Sequence, residues 1–248
     1  MRERLPVVDL FRSRTPLNTC SYLSAETSSL EYRVIPDLTA EIFQFLLERG
    51  WRRQGLSIFR PACPACRKCI SLRVDVQNFR PTKSQRRALR RNEDVTVSVH
   101  PATVSERHMQ LFNSWHADMH LRSGWTPQEL TASDYFESFL SQDCNFGREF
   151  RYHREGKLVG VGLVDVVPEA ASSVYFYHDP AWRSDSPGTF SALQEIEWVR
   201  QHGGKWLYLG YWITECPSMN YKNRFRPYET LAEYVGDDEE PSWSAPAE

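Results

Sequence analysis

The stretch RPACPACRKCISLRV, residues 60 to 74, places Cys63, Cys66 and Cys69 at every third position, among Arg60, Arg67, Lys68 and Arg73. A Cys-x-x-Cys-x-x-Cys run lets three thiols converge from one tight loop, so this part of the chain folds around a staple, a metal or a redox group. The beginning, MRERLPVVDLFRSR, is charged throughout, and no apolar run approaches the roughly 20 residues that a membrane span needs. The chain is therefore read as cytoplasmic, where closely spaced cysteines are metal ligands or redox groups more often than disulfides. A closed tetrahedral site or a four-iron cluster wants a fourth ligand, and Cys20 in NTCSYL is the best candidate. The expected ligand set is Cys20, Cys63, Cys66 and Cys69, holding a structural zinc ion or an iron–sulfur cluster. Cys144 and Cys216 read as ordinary thiols, and His116 and His120, although four apart, lack the glutamate of a zincin motif.

A net charge of −2 over 248 residues hides an asymmetry along the chain. Residues 80 to 91, RPTKSQRRALRR, hold six basic residues and no acid, whereas 236 to 240 read GDDEE. Thr82 and Gln85 have capping-box spacing, which predicts a helix from about Lys83 to Arg91. On it Lys83, Arg87, Arg90 and Arg91 fall on or near one face, with Arg86 beside them. Cations without interleaved acids suit phosphate contacts and the counterion release of nucleic-acid binding.

The hydrophobic pattern divides the chain in three. Residues 1–100 carry a helix in LTAEIFQFLLERG, the cysteine cluster, the basic helix and the strand VTVSV. Residues 101–235 alternate helices with strands. A helix follows Ser105, Thr126 to Glu129 has the form of a second capping box, and LVGVGLVDVV and SSVYFYHDP read as strands. A helix from about Pro187 with Ala192, Leu193, Ile196 and Val199 in register then leads to the strand KWLYLGYWI. Residues 236–248 read as an acidic disordered tail. The expected fold class is α/β or α+β, layered.

Three runs in order, VDVVPEAASSVYFYHDPAW, SPGTFSALQEIEWVRQ and YLGYWITECPSMNYKNRFRPYETL, resemble the aminoacyl-tRNA-protein transferases. CSYL, RPACPACRKC and SQRRALRR are most similar to the bacterial aspartate/glutamate leucyl branch, so the resemblance spans residues 17 to 235. It implies an acetyltransferase-like (GNAT-like) domain behind an N-terminal cysteine-bearing domain. It implies transfer of leucine, with arginine as the alternative, from charged tRNA to a protein that begins with Asp or Glu, marking it for N-degron degradation. Lys83, Arg86, Arg87, Arg90 and Arg91 then become tRNA contacts. The arginyl enzymes of the family carry Cys-Gly-Tyr-Cys near the start, which Cys20 and Tyr22 match while Leu23 replaces the second cysteine.

A charged-tRNA ester is already activated, so the chemistry requires no cofactor and no nucleophilic side chain. It needs a neutral amine held close to the ester, and the turn RSDSPGT, with one glycine, is a poor cradle for a CoA pyrophosphate. The catalytic candidates are Tyr177 and Asp179 at the end of one strand and Tyr208 and Tyr211 on the next. Tyr221, Lys222, Arg224 and Arg226 are the substrate-binding candidates, the cations as a clamp for an acidic N-terminus. Two other readings compete: a non-catalytic metal-stabilised RNA-binding protein on a degenerate acyltransferase scaffold, and an ordinary CoA acetyltransferase.

Overall fold

The computed structural model describes residues 7–127, 129–141 and 144–246. Its first elements are β1 (Phe11–Arg14), β2 (Asn18–Thr19), β3 (Thr27–Ser28), β4 (Leu30–Val34), α1 (Ala40–Glu48), β5 (Arg52–Gln54), β6 (Ser57–Pro61) and β7 (Ile70–Asp75). There follow α2 (Lys83–Arg91), β8 (Val95–Pro101), α3 (Glu106–Ser123) and α4 (Ala132–Tyr135). The chain continues through β9 (Gly147–Arg154), β10 (Lys157–Val167), β11 (Ala170–His178), α5 (Pro187–Gln201), β12 (Trp206–Trp212), β13 (Tyr228–Leu231) and β14 (Trp243–Ser244).

Among the described residues the large sheet has eight strands in the order β14-β13-β7-β12-β11-β10-β9-β8, and a second has four, β1-β4-β6-β5. The class is mixed α/β, as expected. The change of sheet falls between Pro61 and Ile70, earlier than the division near residue 100 that the pattern suggests, because β7 and β8 complete the large sheet.

Local sequence explains the main elements. Thr39 caps α1 by accepting from the Ile42 amide, and Phe43, Leu46 and Leu47 form its buried stripe. Gly50 ends it at φ +83°, where a Cβ would strike the Tyr234 ring. The box that opens α2 has both halves: the Thr82 hydroxyl accepts from the Gln85 amide, and the Gln85 side chain accepts from the Thr82 amide. The second expected box is not used. Gln128 lies outside the described residues, and the cap is made later by Thr131 and Asp134, which open α4.

Helices cover both faces of the large sheet. Phe190, Leu193, Ile196 and Val199 of α5 pack with Leu72, Val74, Phe150 and Leu207. Leu111 and Phe112 of α3 pack with Val161, Leu163 and Tyr177, while α1 packs with Val167, Ala170 and Trp206. Each such fully buried side chain contributes about 1.5–3 kcal/mol. The four-stranded sheet is tied to the large one by Arg53, which donates from Nε and Nη2 to Asp165 at 2.9 and 2.6 Å.

The acidic stretch expected to be a disordered tail is instead tied to the body of the protein as far as Ser244. Asp237 accepts from Arg33 at 2.9 and 2.8 Å, β14 pairs with β13, and the Trp243 indole donates to the Glu48 carbonyl. The Arg33 side chain is 1% exposed, and a guanidinium out of water needs carboxylates that a pattern of surface-type residues does not announce.

Candidate active site

The strands β11 and β12, joined through α5, are parallel neighbours, and their pairing is brief. Ala170–Ser172 lie beside Trp206–Tyr208, after which β11 runs on to His178 without further pairing to β12. Bulges stand where they part. On β11 Val174 has no partner in the register with β10, and on β12 Leu209 is skipped in the register with β7. Gly210 beyond it takes φ +81°, a left-handed backbone open to glycine at little cost.

Three buried ionisable side chains meet near this parting. Arg52, from β5, donates through Nη2 to the carbonyl of Ser173, while Nη1 is fully buried with no hydrogen-bond partner among the described residues. Lys222, on the 3-10 turn Asn220–Arg224, donates to the Tyr211 carbonyl at 2.8 Å and approaches the Met219 sulfur at 3.2 Å. Burial pushes its pKa down to about 7, with Arg52 adding to the shift and Cys216 and Cys69 opposing it. Glu195 reaches in from α5 on the opposite face. Its Oε1 accepts from the Ser191 hydroxyl at 3.0 Å, and Ser191 in turn bonds Tyr152. Its Oε2 has no well-formed hydrogen bond, although the Ser173 hydroxyl stands near. Burial pushes the Glu195 carboxyl up to about 7, against the hydroxyls and Arg52. Such a group exchanges a proton near neutrality, the range in which a general base serves an α-amine.

Of the residues singled out in the sequence, Lys222 and Tyr221 stand here, Tyr221 within the field of Glu195. Tyr211 contributes its carbonyl to Lys222, while its hydroxyl donates to the Gly50 carbonyl at 3.1 Å. Tyr208 accepts from Arg73 at 3.2 Å and packs on Trp243. Tyr177 lies in the core beneath α3 with its hydroxyl on that of Tyr135 at 2.9 Å, and burial raises its pKa well above the usual phenol value. These three phenols fit amphipathic core roles better than catalysis. Asp179 accepts from the Ala181 amide and pairs with Lys157 at 2.7 Å. Its burial would raise the carboxyl, but Lys157 and the amide outweigh it and hold it below the ordinary value. It lines a separate 260 Å³ cavity with Arg107, Ser114 and Lys157. Arg224 offers its carbonyl to Gln85 of α2, and Arg226 lies over the Tyr228 ring.

The basic helix presents Lys83, Arg86, Arg87, Arg90 and Arg91 to solvent, and among the described residues none is in an ion pair. Cys20, Cys63, Cys66 and Cys69 are half-buried thiols without disulfides. The last three line a 590 Å³ cavity with Arg14, Arg60 and Tyr234. Burial, then the fields of Cys63, Cys20 and Cys66, push the Cys69 thiol up to about 12. Four thiols in one another's field are a donor set suited to a thiophilic ion, yet among the described residues no three ligating groups converge at metal spacing. His116 and His120 are bonded elsewhere, to the Tyr175 hydroxyl and the Trp125 carbonyl.

Arg52 and Glu195 were missed by sequence reasoning. Signals existed: Glu195 interrupts the apolar stripe Ala192, Leu193, Ile196, Val199, and Gly162 leaves room on β10 where a Cβ would stand 3.4 Å from Glu195 Oε1.

Two family profiles match the chain: the N terminus of arginine-tRNA-protein transferase over residues 18–87 and its C terminus over 107–232. An aspartate/glutamate leucyltransferase of Helicobacter hepaticus is 35% identical over 224 residues, covering 90% of this chain and 93% of that one. Its counterpart in Aeromonas hydrophila is 36% identical over 220 residues, covering 88% and 90%. Among solved structures, L-PGS from Bacillus licheniformis aligns with a TM-score of 0.42 at 15% identity, over 68% of this chain and 49% of that one.

Proposed function

The chain belongs to the arginine-tRNA-protein transferase family and is an aminoacyl-tRNA-protein transferase, and on that premise we propose that it moves leucine from leucyl-tRNA to proteins beginning with Asp or Glu, in the cytoplasm, as an N-degron mark. The observation that carries the site is the buried Glu195 carboxyl near the parting of β11 and β12, with Oε1 held by Ser191 and Oε2 unmatched among the described residues. The acceptor's α-ammonium gives its proton to Glu195. The neutral amine attacks the ester carbonyl, the amide C–N bond forms as the C–O bond breaks, the ribose oxygen leaves with the proton that Glu195 returns, and the second proton shed by the nitrogen as it becomes an amide passes to solvent. The tRNA lies along α2, which Gln85 joins to the turn carrying Lys222.

Leucine is favoured because the strand acids that could receive a guanidinium are engaged elsewhere. Asp165 is committed to Arg53 and Asp179 to Lys157, while at Glu195 a cationic donor side chain would face Arg52. Leucyl- and arginyl-tRNA, each labelled on the amino acid, are incubated with peptides beginning Asp, Glu, Arg or Ala. Labelled leucine on the Asp and Glu peptides is expected, whereas transfer from arginyl-tRNA alone would overturn the donor assignment.

The cysteines have a structural part. Cys20, Cys63, Cys66 and Cys69 are the residues that would hold a zinc ion or an iron–sulfur cluster, whose contribution is folding free energy, and no step of transfer passes through it. Cys63→Ser or Cys66→Ser is expected to remove bound metal and lower the unfolding temperature. Purified protein without zinc or iron, unchanged in stability by either substitution, contradicts this.

A further inference from the structure

Arg52 takes no part in the proton transfer above, yet its position calls for a partner. Arg52 and Lys222 are 9% and 6% exposed, and among the described residues neither has a carboxylate at ion-pair distance. The acids whose fields reach Arg52 do not neutralise it: Asp165 is held by both its oxygens on Arg53, and Glu195 makes no ion pair with it. A guanidinium and an amine side by side out of water are costly to charge together unless an anion joins them. They also address one place. A Cβ on Gly210 would stand 3.5 Å from both Arg52 Nη2 and Lys222 Nζ, so the glycine of the β12 bulge leaves the space between the two charges without a side chain.

We propose that Arg52 and Lys222 together receive the side-chain carboxylate of the acceptor's first residue, which makes Arg52 a specificity-determining residue for acidic N-termini. The inference rests on the transferase reading and adds to it the group that reads the acceptor. The unpartnered Nη1 supplies a donor for the carboxylate, and a guanidinium fork suits its planar geometry. An N-terminal Asp or Glu carries an anion and an α-ammonium a few bonds apart, and the parting offers the complement: cations at Arg52 and Lys222, a carboxyl at Glu195. Asn or Gln would fill the same space and leave both cations uncompensated, a discrimination that a site built for polar partners performs strongly. A tRNA phosphate is the poorer occupant, because the exposed cations of α2 already serve phosphates while this pair is buried.

The test measures binding of the dipeptides Asp-Ala and Asn-Ala to the full chain by calorimetry, together with leucyl-tRNA affinity and thermal unfolding. The wild type, Arg52→Gln, Arg52→Lys and Lys222→Gln are compared. The wild type is expected to bind Asp-Ala at least tenfold more tightly than Asn-Ala. Arg52→Gln should bring that ratio close to one with leucyl-tRNA affinity within twofold of wild type, and Arg52→Lys should keep part of it. Should Arg52→Gln not fold, Arg52→Lys and Lys222→Gln give the reading through the same lowered ratio. A folded Arg52 variant with the full Asp-over-Asn preference overturns the proposal, as does a variant that loses tRNA affinity instead. Because dipeptide binding is read without transfer, a chain that prefers Asp-Ala but transfers nothing would overturn the transferase reaction and keep the carboxylate receptor. A chain that transfers leucine without any Asp-over-Asn preference would do the reverse.

Discussion

Glu195 is a carboxyl-bearing residue only 2% exposed, with no cation at ion-pair distance among the described residues. A carboxyl with an ordinary pKa near 4.5 unfolded and about 7 folded keeps its proton in the native state over the interval between them. The native state then binds more protons than the unfolded one, so this group makes stability fall as pH rises from about 4.5 to about 7, by on the order of 3 kcal/mol in full. Arg52, Tyr152 and Tyr221 share its field, and Ser191 bonds it. Glu195→Gln removes the titration. Urea unfolding at pH 5 and pH 8 should therefore show the variant gaining on the wild type at the higher pH, and equal differences at both would contradict the buried, proton-retaining carboxyl.

At the scale of elements, much was legible because the signal was local. The stripe of α1, the box of α2 and the apolar run of β10 follow from spacing alone, and each stands close to where the sequence put it. β9, GREFRYHR, gave only a weak signal, because just two apolar residues, Phe150 and Tyr152, alternate among charged ones and Glu149 beside them is buried as well. The five cations of α2 were readable for the same local reason, as was their freedom from acids. Replacing Arg86, Arg87, Arg90 and Arg91 by alanine should weaken tRNA binding and flatten its salt dependence by about one unit of slope for each phosphate left without its cation. Filter binding across a salt series reads both, and unchanged affinity and slope would make α2 an ordinary solvated face.

At the scale of the molecule, the site is assembled from places far apart in sequence, which is why only part of it could be read beforehand. Arg52 arrives from the four-stranded sheet, Glu195 from the helix on the far face, and Lys222 from a turn tied to the basic helix. Tyr177 and Asp179, placed together by their order on one strand, are drawn instead into the α3 core and a strand-end ion pair. The packed acidic stretch was hidden for a related reason, since Arg33 and Asp237 are 204 positions apart.

The central claim is that the amide bond forms where β11 and β12 part. Single-turnover transfer from pre-charged leucyl-tRNA to a saturating peptide beginning with Asp, compared between wild type and a folded Glu195→Gln, tests it most directly. A rate lowered by about 10²-fold or more is expected, with tRNA affinity near that of the wild type. Transfer by the variant at the wild-type rate would contradict it.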